Sequence, residues 1–220
     1  FGFCQLHKAD RRGLEFLRGR DALAAAIQLA PRNLEALAMM ADTWIDDDPR
    51  QALGWYERAY KIAPSEPRIL AGYVSLKVAL EKRLDAVAPM VPAMEQAVER
   101  CYAQAADKIN LPSALFCAGE FALLLGRPYE ALQTYLSATR FTSQGFMLDQ
   151  ALQRIEQLTV LGDQLPQAEW VRRMLVLVRA VRSGRPADDP GLRALASRPL
   201  PDVPKPVAIV AGGCDPNLEE

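Results

Sequence analysis

Two prolines 33 positions apart, Pro31 and Pro64, each close an alanine-rich stretch with helical periodicity, and no other feature of the 220 residues constrains the fold as tightly. Self-similarity at such a period marks an architecture of stacked supersecondary units. The interval divides into two amphipathic segments. Leu37, Met40, Ala41 and Trp44 recur at i, i+3, i+4 and i+7, and Ala52, Tyr56 and Ala59 mark one face of the second segment. Asp48 and Pro49 stand between them. The carboxylate can accept hydrogen bonds from the free N–H groups of a helix's first turn, and proline's fixed φ suits the first helical position. Bulky Trp44 and Tyr56 alternate with small Ala41, Ala52 and Ala59, so the two helices can approach closely, and both aromatics are expected to be buried.

A second copy follows Pro112. Leu115, Ala118, Gly119 and Ala122 occupy its first helix, Gly126 its turn, and Ala131, Tyr135 and Ala138 its second helix. Here Thr142 and Ser143 replace the closing proline. A partial copy with Leu23, Ala26 and Pro31 precedes the first. Two further units depart from the pattern. One carries Leu70, Tyr73, Val74 and Lys77, then runs long through Pro89 and Pro92 to Met94, Val98 and Cys101. The other, residues 145–184, carries Leu148, Leu152 and Ile155, then Val171, Leu175 and Val178.

The pattern resembles the tetratricopeptide repeat. That family's signature of a large residue, Leu, Gly or Ala, an aromatic, then Ala, an aromatic, Ala and Pro falls on Leu37, Met40, Ala41, Trp44, Ala52, Tyr56, Ala59 and Pro64, with one residue fewer in the turn. The resemblance covers roughly residues 14–184. It implies an all-α solenoid of about ten helices in antiparallel pairs, because one such unit cannot bury its apolar face alone. It also implies a protein-interaction scaffold whose ligands lie in a concave groove along the first helices. Carried over by position, the groove consists of Glu35, Ala38, Asp42, Arg68, Ala71, Ser75, Ser113, Phe116 and Glu120. Members that grip a C-terminal carboxylate place Lys and Asn at such positions. Asp42 and Glu120 favour instead a protein or peptide partner with basic and apolar residues.

Composition narrows the function. With 26 basic and 27 acidic residues and a net charge of -1, the chain has no electrostatic pull toward nucleic acid or an anionic membrane. It has no apolar run of the ~18 residues a membrane span needs. The cysteines, Cys4, Cys101, Cys117 and Cys214, form no C-x-x-C pair, which fits free thiols in a reducing cytoplasm. Cys4 and the sole histidine, His7, would make half a metal site with no second pair to complete it. Asp46, Asp47 and Asp48 read as a capped, solvated turn. No Ser-His-Asp or Cys-His arrangement is visible, so the expectation is a chain without catalysis, metal or cofactor.

Three segments are expected: a repeat domain over residues 1–184, a proline-rich linker over 185–206 with one short helix opened by Asp189 and Pro190, and a start of a further domain over 207–220. The run 207–211 is apolar, as in a buried parallel strand, and Gly212-Gly213 gives a sharp turn before Asp215-Pro216. This segment resembles the opening of the SLOG family of Rossmann-like nucleotide-sensing domains. The resemblance implies that Gly212 and Gly213 would line a nucleotide-phosphate site that these residues do not complete. The absence of an initial Met and the stop at Glu220 suggest a piece of a longer protein. The alternative to a plain scaffold is therefore the N-terminal regulatory part of a larger nucleotide-sensing or Rossmann-fold enzyme, with the repeats docked on its own C-terminal domain.

Overall fold

A computed structural model of the chain describes residues 13–142, 145–186 and 188–199, and there it is helical, with no strand among the described residues. The α-helices are α1 (Leu14–Leu29), α2 (Leu34–Trp44), α3 (Pro49–Ile62), α4 (Pro67–Glu81), α5 (Val91–Ala106), α6 (Ser113–Leu124), α7 (Pro128–Phe141), α8 (Gly145–Thr159), α9 (Ala168–Arg182) and α10 (Pro190–Ser197). Two 3-10 segments, Leu84–Met90 and Gly162–Gln164, complete the list. Cys4, His7, the 207–211 strand, Gly212, Gly213 and Cys214 lie outside the described residues.

Local chemistry sets the helix starts. The Asn33 side chain accepts from the Ala36 amide at 3.0 Å, and the Asp48 carboxylate accepts from the amides of Arg50 and Gln51, each at 3.1 Å. Prolines occupy the first turn of α3, α4, α5, α7 and α10. Gly126 ends α6 at φ +73°, a left-handed conformation that glycine adopts without steric penalty. The long unit after Pro67 has a simple origin: the 3-10 segment 84–90, with Pro89 inside it, separates α4 from α5 and buries Val87.

Consecutive helices pack as hairpins: α2 with α3, α4 with α5, α6 with α7, and α8 with α9, while α1 lies on α2 and α10 closes on α9. One core cluster centres on Leu37, Ala38, Ala41, Ala52, Tyr56 and Ala59. The other runs from Leu70 and Val74 through Phe121 and Tyr135 to Ile155 and Leu175, and Tyr60 touches both. Stacked Tyr60 and Tyr73 rings, with centroids 4.9 Å apart, join α3 to α4.

Two glycines set how closely the helices approach. A Cβ on Gly72 of α4 would run into the ring of Tyr56 of α3, and one on Gly119 of α6 would lie 2.7 Å from Tyr135 Cδ2 of α7. Both tyrosines are almost fully buried. Trp44 departs from expectation. It is only half-buried, and the Arg20 guanidinium lies over its ring at 3.9 Å, so α1 covers it with a charged group that also donates to the Thr43 carbonyl.

The glycines give an opposed pair of outcomes. Gly54, inside α3, has nothing near its missing Cβ, so Gly54→Ala should stabilise the chain by about 1 kcal/mol through helix propensity. Gly72→Ala gains the same propensity but collides with Tyr56, and overpacking costs about 1–3 kcal/mol. Thermal denaturation should show the first raising Tm and the second lowering it. Two changes of equal sign would mean that Tyr56 does not lie against Gly72.

Candidate partner groove

The N-terminal turns and inner faces of α2, α4 and α6 carry the residues expected to line a groove. A regular stack would place α8 beside α6 as the next member of that row. Instead α8 packs more extensively on α4 than on α6, so it crosses onto α4 rather than extending that row. Its apolar face, Leu148, Ala151, Leu152, Ile155 and Leu158, is buried in the same cluster as Leu70, Val74 and Val78 of α4. Polar contacts pin it along its length. Gln153 donates to Asp46 in the α2–α3 turn at 3.0 Å. Beyond its C-terminal end, the Gln164 carbonyl accepts from the Leu84 amide at 3.1 Å and its amide donates to the Lys82 carbonyl at 3.2 Å.

The nine expected residues thus fall into a covered interior and an open rim. Ala38, Ala71, Ser75, Phe116 and Glu120 are buried; Asp42, Arg68 and Ser113 are half-buried; Glu35 is exposed. They join two polar clusters. In the first, the Tyr56 hydroxyl donates to Asp42 at 2.5 Å, and Arg68 bridges Asp42, at 3.4 Å, to Glu35. Burial works against the Arg68 charge, but Asp42 and then Glu35 more than restore it, and its proton affinity rises. In the second, the Ser75 hydroxyl donates to Glu120, whose other carboxylate oxygen faces Arg154 of α8 at 3.6 Å. Burial pushes the Glu120 carboxyl above its ordinary range against the pull of Arg154 and Ser75. The two carboxylates that suggested a basic partner are therefore paired with the chain's own arginines.

Between these clusters lies a cavity of about 50 Å³ bounded by Arg68, Ser113, Glu120, Gln150 and Arg154. It adjoins a cleft of about 380 Å³ at the N-terminal turns of α2, α4, α6 and α8, with Glu35, Glu66, Arg68 and Gln150 in its wall. Cys117 borders both, and burial pushes its thiol up to about 11, away from thiolate chemistry. The acidic turn is engaged throughout. Asp48 caps α3, Asp46 accepts from Gln153, and Asp47 pairs with Arg20 at 3.1 Å.

Sequence reasoning missed Arg154, Gln153 and Gln150. Leu148, Leu152 and Ile155 announce a buried face but not the surface it meets. The one available signal was the lost proline after the 112–142 copy, where Thr142 is buried and the regular spacing stops. Set against known protein families, curated proteins and solved structures, the chain matches none.

The Glu120–Arg154 pair generates a pH signature. Removing one partner of a buried pair costs about 3–5 kcal/mol, because the other charge is left uncompensated. A carboxyl whose folded pKa is raised contributes stability below its unfolded pKa and loses it as pH rises through the folded value. Arg154→Met should therefore be destabilising at pH 7, and the gap to the parent should narrow as pH falls below neutrality and Glu120 takes up its proton. Urea denaturation across that range measures the gap. A gap that stays constant or widens toward acid would exclude Glu120 as the group responsible.

Proposed function

We propose that this chain is a tetratricopeptide-type interaction scaffold whose concave groove receives an amphipathic helix. The observation that carries the reading is α8 itself. A helix with an apolar stripe and a basic residue lies on α4 and reaches Glu120 of α6, and five of the nine positions expected to contact a ligand are buried. Helix-in-groove recognition works in this way, with anchors at i, i+3, i+4 and i+7. A partner of the same chemistry would present a stripe like Leu148, Leu152 and Ile155 and an arginine placed like Arg154. This agrees with a ligand that combines basic and apolar residues, and it specifies where the base must sit.

In this reading α8 is a tethered occupant. A tethered segment acts at an effective concentration in the millimolar range, so a competitor in solution must either bind tightly or meet a weakened α8. Partner capture rather than catalysis is then the work of the domain. The half-open cleft at the helix N-termini, with Glu35 and Arg68 at its rim, is where an incoming chain would first gain contact.

A 15-residue peptide copying residues 145–159, titrated by calorimetry into the full chain, tests the proposal. Binding should be weak in the parent and at least tenfold tighter when Leu152→Ala loosens the chain's own α8. It should fall again when Glu120→Gln is added to that variant. Equal affinity for parent and Leu152→Ala, or no detectable binding to either, would count against a helix-accepting groove.

A further inference from the structure

The convex side of the stack carries a second surface that the groove does not use. Helices α7 and α9 run side by side there. The Tyr129 and Trp170 rings meet edge to face at one end, with centroids 6.4 Å apart. At the other end both Nη groups of Arg182 donate to the carbonyls of Thr139 and Thr142. Between these fastenings the residues open to solvent are apolar: Leu136 from α7 and Val181 from α9 are exposed and Leu177 is half-buried, while Leu132 and Met174 pack against the core. Leu136 on α7, and Leu177 with Val181 on α9, lie about a third of a turn round their helices from the buried Ala131, Tyr135, Val171 and Leu175. Tyr129, Leu136 and Val181 are 63%, 44% and 64% exposed. Single exposed apolar residues are ordinary, whereas a contiguous stripe marks a contact surface.

The charge around the stripe indicates what it contacts. Residues 168–199 carry seven arginines against three carboxylates, and of these Arg172 and Arg173 pair with Glu169, Arg179 with Asp149 of α8 and Arg185 with Asp189. Arg140 stands one turn beyond Leu136, and neither it nor Arg193 of α10 has a carboxylate partner among the described residues. Arg182 spends its donors on neutral carbonyls and keeps its positive charge uncompensated. Glu130 lies on the opposite flank of α7, where it accepts from Tyr102 at 2.8 Å. An apolar stripe with a cationic border complements a segment that is apolar on one side and acidic on its edges.

We infer that the convex α7–α9 face docks an acidic amphipathic segment of a partner protein. Apolar anchors would lie between Tyr129 and Val181, and carboxylates would reach Arg140, Arg182 and Arg193. This ligand is opposite in charge to the one the groove accommodates. One chain could then hold two partners of different chemistry on opposite faces, and the two sites can be tested separately.

The probe is a fluorescein-labelled 15-residue helical peptide of Leu, Ala and Glu with one apolar face, followed by fluorescence anisotropy with the full chain. It should bind saturably, and its affinity should drop at least tenfold in the Leu136→Ser/Val181→Ser variant and at least fivefold in Arg140→Glu. These side chains are exposed, so the variants should melt like the parent. Gly54→Ala, on the exposed side of α3 with open space at its Cβ, should leave the affinity unchanged. The inference is overturned if the peptide does not bind, if a Lys-for-Glu version binds equally well, or if phosphatidylglycerol vesicles are bound while the peptide is not. The last outcome would assign the face to a membrane surface.

Discussion

Every hairpin in this chain has to bury an apolar face that it cannot cover alone, and the close approach of a tyrosine ring to a glycine in the neighbouring helix is how the stack achieves it. Tyr56 rests on Gly72 and Tyr135 on Gly119. The first contact ties one hairpin to the next, and the second closes a hairpin on itself. With alanines at 38, 41, 52, 59, 118, 122, 131 and 138 all buried, backbone approaches backbone and leaves room for the rings. Dense packing of this kind transmits position. The row of first helices is held in fixed register, and that register is what creates a groove.

The groove in turn explains the odd placement of α8. The faces of α4 and α6 that carry Ala71, Val74 and Phe116 are apolar enough to need cover. The last long hairpin supplies it by crossing onto α4 rather than extending the row. Burying Leu148, Leu152 and Ile155 provides the driving force, and the polar clusters set the position. Glu120 in the interior would be costly without a counter-charge, and Arg154 provides one only when α8 lies in this place. The same pairing neutralises Glu120, whereas Asp42 is held by Arg68 of α4 and by Tyr56 of α3.

Much of this was legible in the sequence. Pro31, Pro64, Asn33 and Asp48 punctuate helices where they stand, because caps and proline act within one turn and need no knowledge of neighbours. Tyr56 and Tyr135 were readable as buried because they sit among alanines at helical spacing. Less was legible where the outcome depended on a distant element. Trp44 has the same periodic position as Tyr56, but α1 covers it with Arg20, which lies 24 residues upstream. The 3-10 segment at 84–90 looked only like extra length around Pro89. Gln153 reaches Asp46 across 107 positions, a contact that no local pattern encodes. Of the candidate groove, the burial of Ala38, Ala71 and Phe116 follows from helical spacing, whereas the arginine that α8 brings to Glu120 could not be read.

The central claim is that α8 crosses onto α4 instead of extending the row, and residues 46 and 153 report on it directly. In a regular row these positions would be separated by the intervening hairpin, well beyond the roughly 7 Å Cα separation that a disulfide tolerates. In this fold their side chains share a hydrogen bond. The measurement is the rate of disulfide formation in the Asp46→Cys/Gln153→Cys chain under mild oxidation, read by mobility on non-reducing gels, in buffer and in urea. Rapid intramolecular closure in buffer that disappears in urea is the result expected of an α8 seated in the groove. Closure in buffer no faster than in urea would place α8 elsewhere and remove the basis for a helix-accepting groove.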